Sequence, residues 1–200
     1  MGRAPSDRAG GDRLRFLRSF LASPRKVGAV LPTSRRTVRD TLDLAPLEQA
    51  RWVVELGAGT GVYTRAILER IGSDARVLAF EVDPELSSAL ASELRDPRLR
   101  VINDSAAEVA RHLDGATAEV IVSAVPFTSL PAPERRQILH AAREVLGPEG
   151  VLLVLQYSPL IERELRQTFT EVRRRLSPLN VPPAFLFACQ GDPRPHAAKP

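Results

Sequence analysis

The segment Val53-Val54-Glu55-Leu56-Gly57-Ala58-Gly59-Thr60-Gly61 restricts this chain more than any other. An apolar run carrying one acid leads into three glycines at alternate positions, and a helical pattern follows from Val62. Glycines there permit a tight turn and let a bulky ligand lie against bare backbone. A dinucleotide site uses G-x-G-x-x-G and seats its pyrophosphate at the helix N-terminus. Here the spacing is G-x-G-x-G, with the Glu55 carboxylate two residues before Gly57. That carboxylate repels a pyrophosphate and suits a ligand carrying an ammonium and a sulfonium.

Apolar runs alternate with helical patterns from Arg51 onward, the signature of a parallel sheet with crossover helices. The runs are Trp52–Leu56, Val77–Glu81, Leu99–Asn103, Val120–Ser123, Val151–Gln156 and Ala184–Cys189. The first five stay apolar without alternation, as strands buried on both faces do. The first helix is expected from Val62 to a C′ glycine at Gly72. The second opens with Asp83 as N-cap and Pro84 at N1. Ser105 and Glu108 predict a capping box for the third. The fourth spans about Ala132 to Leu146. The fifth follows Ser158-Pro159, with Ile161, Leu165 and Phe169 on one face. A weak strand near Val172–Leu176 then returns to Ala184–Cys189 with no room for a crossover helix, so the sheet ends antiparallel.

Three further positions suit the same ligand. Glu81 ends the second strand, 20 residues after Gly61, where an acid accepts ribose hydroxyls. Asp104, with the amides at Ser105, ends the third and is placed to bind an adenine amino group; Ser105 also serves as N-cap. Ser123-Ala124-Val125-Pro126-Phe127 follows the fourth strand. All these loops fall at the carboxyl ends of the strands, where open α/β sheets bind ligands.

The three histidines and the lone Cys189 are far apart, so no metal-ligand cluster is present in the sequence; His112 and His140 read as surface or structural residues. A single cysteine excludes an intrachain disulfide and fits a reducing compartment. No secretory signal and no stretch of ~18 uncharged apolar residues is found, which points to a cytoplasmic protein that does not span a membrane. The charge is uneven. Residues 1–40 carry ten Lys and Arg against three Asp and Glu, and the remainder carry 18 against 21. Within this leader, Arg13-Leu14-Arg15-Phe16-Leu17-Arg18-Ser19-Phe20-Leu21 puts Leu14, Leu17 and Leu21 on one helical face flanked by arginines, with Arg25-Lys26 beyond. Such a helix suits an anionic membrane interface; the alternative is a helix docked on the protein's own core with its arginines solvated.

The chain resembles class I S-adenosylmethionine (SAM)-dependent methyltransferases over about residues 28–190, and among them the bacterial phospholipid N-methyltransferases. The carrying residues are Gly28-Ala29-Val30-Leu31-Pro32-Thr33-Ser34, Ser123 to Phe127, Gln156-Tyr157 and Asn180-Val181-Pro182-Pro183-Ala184. The related rRNA adenine dimethyltransferases carry Asn where this chain has Ala124, and the helical C-terminal domain they use against RNA is not expected here.

The resemblance implies a Rossmann-like α/β fold: a seven-stranded, mostly parallel sheet with an antiparallel last strand and helices on both faces. It implies a basic leader over 1–27, a catalytic domain over 28–190 and a disordered tail over 191–200. SAM is the expected cofactor, held by Ser34, Glu55, Gly57, Gly59, Gly61, Glu81, Asp104, Ser105 and Ser123. Tyr157 is the expected head-group contact, and the backbone around Ser123 orients the acceptor nitrogen. Phe127 and Tyr157 suit cation–π contact with a choline-like head, or a place in the core. The expected substrate is the amine of phosphatidylethanolamine, met by a peripherally attached enzyme at an anionic membrane surface. A primary alkyl amine with a pKa near ~10.4 is mostly protonated at neutral pH, so such a site must select or generate its neutral form. Methylation of an RNA base, with the leader on phosphates, and SAM binding without catalysis are the alternatives.

Overall fold

Successive side chains of β1 (Trp52–Leu56) enter two different buried layers. Val53 joins an apolar cluster that holds Val38, Leu42, Tyr63 and Ile67, whereas Val54 joins one that holds Val109, Leu139 and Phe169. A strand covered on both faces has no polar side to show, and the unbroken apolar run follows from that. The structure, a computed structural model, describes residues 33–178, 180 and 182–191. The leader expected over 1–27, the Gly28–Pro32 stretch and the tail beyond Gly191 lie outside the described residues.

The other strands are β2 (Arg76–Phe80), β3 (Leu99–Ile102), β4 (Ala118–Ser123), β5 (Leu146–Gln156), β6 (Glu171–Ser177) and β7 (Ala184–Gln190). They form one seven-stranded sheet in the order β3-β2-β1-β4-β5-β7-β6. The pairs β1–β2, β1–β4, β2–β3 and β4–β5 are parallel, and β7 runs antiparallel to both β5 and β6. The expected architecture, including the antiparallel end, is the one observed. Helices α1 (Arg35–Leu42) and α2 (Val62–Leu68) contribute to the cluster on one face. On the other lie α4 (Ala132–Val145), α5 (Glu162–Thr168) and a 3-10 segment, Ala106–His112. Helix α3 (Pro84–Glu93) buries Leu90 with Ala58 and Ala79. Its N-cap is as expected: Asp83 accepts from the amides of Glu85 and Leu86, with Pro84 at N1. Strand order reverses between β1 and β4, so the crevice for a ligand opens there, at the carboxyl ends.

Four local expectations are corrected. Gly72 does not end α2, which stops at Leu68. The Arg98 guanidinium instead bonds the carbonyls of Leu68 at 2.9 Å and Ile71 at 3.0 Å, with Asp96 fixing it from behind at 2.7 Å. A cation there satisfies terminal carbonyls and favours the negative end of the helix dipole, so no left-handed glycine is required. There is no capping box at Ser105: its hydroxyl accepts from Ala107 N, and Glu108 pairs with Arg111. The segment is 3-10, in which residues three apart eclipse, and that brings Glu108 over Arg111. β3 is not buried on both faces; it is the sheet edge and exposes Arg100. β5 begins at Leu146, earlier than expected, because that residue already pairs with Ala118.

The N-terminus of α1 is tied to the β6–β7 connection by buried polar groups. Asn180, 2% exposed, accepts on Oδ1 from the Ser34 amide at 3.2 Å and the Thr37 hydroxyl at 2.9 Å. Its Nδ2 donates to Pro182 O at 2.8 Å. Asn180→Ala would strip these donors of their acceptor, and a buried unsatisfied group costs about 1–3 kcal/mol. Urea unfolding is expected to show a loss of stability in that range.

Candidate functional site

The turn after β1 runs through left-handed backbone, with φ of 80° at Gly57, 54° at Gly59 and 77° at Gly61. The amides of Gly57 and Ala58 both donate to Phe80 O at 2.9 Å, which seats the turn on the end of β2. A Cβ on Gly57 would stand 3.1 Å from Val125 Cγ2, whereas above Gly59 the space is open. Any side chain here is strained by φ and takes room from the crevice or from its wall.

Gly57 and Gly59 line a cleft together with Glu81, Asp104, Ser105 and an apolar wall that includes Phe80, Val125 and Ile138. Five of the expected cofactor residues thus meet in one place. The Glu81 carboxylate is nearly buried and accepts from Gly59 N at 2.8 Å on one oxygen and from Asp83 N at 2.9 Å on the other. Each oxygen keeps a second acceptor position. Burial raises its pKa above the usual carboxylate range, opposed by those two amides. Asn103 Nδ2 holds the loop beside it through Glu81 O and Val82 O. Asp104 differs. His112 Nε2 lies 2.9 Å from its Oδ2 and the Ser105 amide donates to Oδ1, so its carboxyl is held below its ordinary value, chiefly by the His112 contact. The His112 ring in turn meets Phe80 edge to face. No periodicity along the chain links His112 to Asp104, so the contact has no signal in the sequence.

The other expected residues stand off that cleft. Glu55 is 1% exposed and lies in the core, where the Thr64 hydroxyl donates to it at 2.6 Å. Gly61 is the left-handed N-cap of α2, and a Cβ there would meet Leu90. Ser123 is buried at the end of β4, its hydroxyl accepting weakly from Val125 N at 3.4 Å. Gln156 pins the same loop by donating to Val125 O at 2.7 Å. From below, Arg135 bonds the carbonyls of Phe127 and Leu130 while gripping Glu164 with two nitrogens. Phe127 itself is core. On the α1 side Ser34 caps the helix by accepting from Thr37 N, and the Tyr157 hydroxyl lies 3.3 Å from Thr33 Oγ1. Thr33-Ser34, Tyr157 and Asn180 come from three distant stretches and form one rim.

A groove of about 700 Å³ lies elsewhere, between α1 and α2, lined by Arg35, Val38, Leu42, Val62 and Arg65 among others. It has neither the glycine turn nor the strand-end carboxylates, which line the cleft instead.

A methyltransferase-domain family model matches residues 53–150. The chain is also 31% identical over 181 residues to the ornithine lipid N-methyltransferase of Singulisphaera acidiphila, covering 88% of this chain and 94% of that protein. The chain belongs to the SAM-dependent methyltransferases. The small-subunit rRNA methyltransferase A of Nocardia farcinica is 31% identical over 60% of this methyltransferase, but only 41% of that protein is covered. Among solved structures, the N-methyltransferase NodS of Bradyrhizobium japonicum in complex with S-adenosyl-L-homocysteine superposes with a TM-score of 0.61 at 14% identity. It covers 88% of this chain and 96% of that one, and at that identity the likeness is one of fold.

The donor set of the methyltransferase's cleft fits its cofactor. Glu81 would accept the ribose hydroxyls, Asp104 and the Ser105 amide would meet the adenine edge, and the wall around Phe80 and Ile138 would cover the ring. When bound, the cofactor supplies an electrophilic methyl group on sulfur. The protein's share is to hold donor and acceptor in line, which can contribute several kcal/mol. Glu81→Ala removes a charged acceptor worth ~1.5–3 kcal/mol, so SAM affinity is expected to fall at least tenfold by calorimetry.

Burial of Glu55 pushes its carboxyl from 4.5 up to about 8, against the pull of the Thr64 hydroxyl. The cofactor-free fold therefore keeps a proton that the unfolded chain has released. Stability is expected to fall as pH rises from about 4.5 through about 8, with the full cost present above that. Glu55→Gln keeps an acceptor for Thr64 and carries no charge. Thermal melts should find the variant's stability flatter across this window and higher than wild type at alkaline pH, by on the order of a few kcal/mol.

Proposed function

We propose that this methyltransferase transfers methyl groups to the primary amine of a membrane lipid head group. The observation that carries the reading is the match to a lipid N-methyltransferase along 94% of that protein's length. The rRNA methyltransferase matches cover less than half of those proteins, the share expected of a common cofactor-binding domain. Phosphatidylethanolamine is the acceptor suggested by the Ser123–Phe127 and Gly28–Ser34 motifs, and ornithine lipid is the one named for the relative. The two share a primary amine on an anchored lipid. Tyr157, held at the rim by Thr33, is the proposed contact for that amine, and the backbone of the Ser123–Val125 loop, pinned by Gln156, is proposed to orient it. The basic face of residues 13–26 would bring the enzyme peripherally to an anionic surface. No helix among the described residues is long and apolar enough to cross a membrane.

The test incubates the purified protein and labelled SAM with vesicles containing phosphatidylethanolamine, with vesicles containing ornithine lipid, and with total RNA. Label in chloroform-extractable lipid is expected. Label in ornithine lipid alone would replace the first acceptor by the second, and label in RNA with none in lipid would overturn the proposal.

A further inference from the structure

Leu160 and Leu176 are the exposed large apolar residues among those described, at 78% and 50% exposure. Single exposed leucines need no explanation, but the topology brings these two to the same end of the sheet. Leu160 lies in the 3-10 turn Pro159–Ile161, four residues past the end of β5. Leu176 is the penultimate residue of β6. Because β5 and β6 are both antiparallel to β7, they point the same way, and the register Gln156↔Phe185↔Leu176 sets Leu176 level with the end of β5. Both leucines therefore sit at the carboxyl rim of the sheet, beside Gln156-Tyr157. An ion pair joins their segments: Arg174 Nη1 reaches Glu162 Oε2 at 2.6 Å, and the same guanidinium lies over the ring of half-buried Phe185.

The polar border of this patch is cationic. Glu162 is consumed by Arg166 and Arg174, and Glu164 by Arg135. Exposed Arg163, three residues past Leu160, makes no ion pair among the described residues, and Arg166 and Arg174 share the single carboxylate of Glu162. Two projecting leucines beside three arginines that have one carboxylate between them match an anionic bilayer surface, where apolar tips enter the acyl boundary and guanidinium groups meet phosphate. The same border opposes a second copy of this face, and it opposes the protein's own Arg-rich leader.

We propose that the Leu160–Leu176 rim is a second membrane contact, separate from the leader, that seats the mouth of the cleft on an anionic lipid surface. The inference rests on the lipid-acceptor reading for its purpose, but its test needs no acceptor. Leu160→Trp in the full chain, mixed with brominated phosphatidylglycerol vesicles, is expected to show a blue shift and quenching beyond that of the wild type. The native Trp52 opens β1, at the opposite end of the sheet, and serves as the background. The double variant Leu160→Glu/Leu176→Glu is expected to lose at least tenfold in partition onto phosphatidylglycerol vesicles while SAM affinity stays unchanged. An indole at position 160 that is not quenched, or a double variant that partitions as the wild type does, would overturn the proposal. So would a double variant that partitions normally but changes from dimer to monomer on gel filtration, since a second copy would then be the occupant. Label transfer into lipid reads the acceptor independently.

Discussion

The site depends on a short piece of left-handed backbone wedged where the sheet changes direction. Gly57, Gly59 and Gly61 all carry positive φ, and the turn they make is held from one side by the Phe80 carbonyl and closed from the other by Val125. Phe80 ends β2 and Val125 follows β4, so the contacts of the turn come from both neighbours of β1. The same turn presents the Gly59 amide to Glu81, which joins the loop after β2 to it. Sheet pairing, glycine conformation and carboxylate placement are therefore one structural event.

Three acids in the same region have three different environments, and each suits a different task. Glu55 lies in the core, where Thr64 donates to it, and is pushed towards its neutral form, a strut beneath the first turn of α2. Glu81 lies at the boundary, its charge shared with two amides. Asp104 is the most exposed, and His112 favours its ionised form. A graded set of this kind leaves charge where ribose and adenine would have donors to offer, and removes it where the core would have to desolvate it.

The proposed acceptor side is built on a different plan, from pairs of residues far apart in the chain. Tyr157 meets Thr33 across 124 positions and Ser34 meets Asn180 across 146. The end of β5, the start of α1 and the β6–β7 connection are thereby held together, and the antiparallel end of the sheet carries Leu176 to the level of the end of β5. A domain ending in a further crossover helix would cover this edge. Among the described residues the β6–β7 return leaves it as the sheet edge.

By itself the sequence determined the layered α/β fold, the antiparallel end, the glycine turn and the strand-end acids Glu81 and Asp104. These follow from local physics: strands buried on both faces are apolar throughout, a positive φ selects glycine, and an N-cap selects Asp or Ser. Only the tertiary structure decided which partner each polar group took. It gave the C-terminus of α2 to Arg98, 30 residues from Leu68. It withdrew Glu55 into the core, made β3 an edge, and set His112 on Asp104 and Thr33 on Tyr157. A hydrogen bond depends on where a group is carried by packing, and the spacing of residues along the chain holds no record of that once the contact spans the fold.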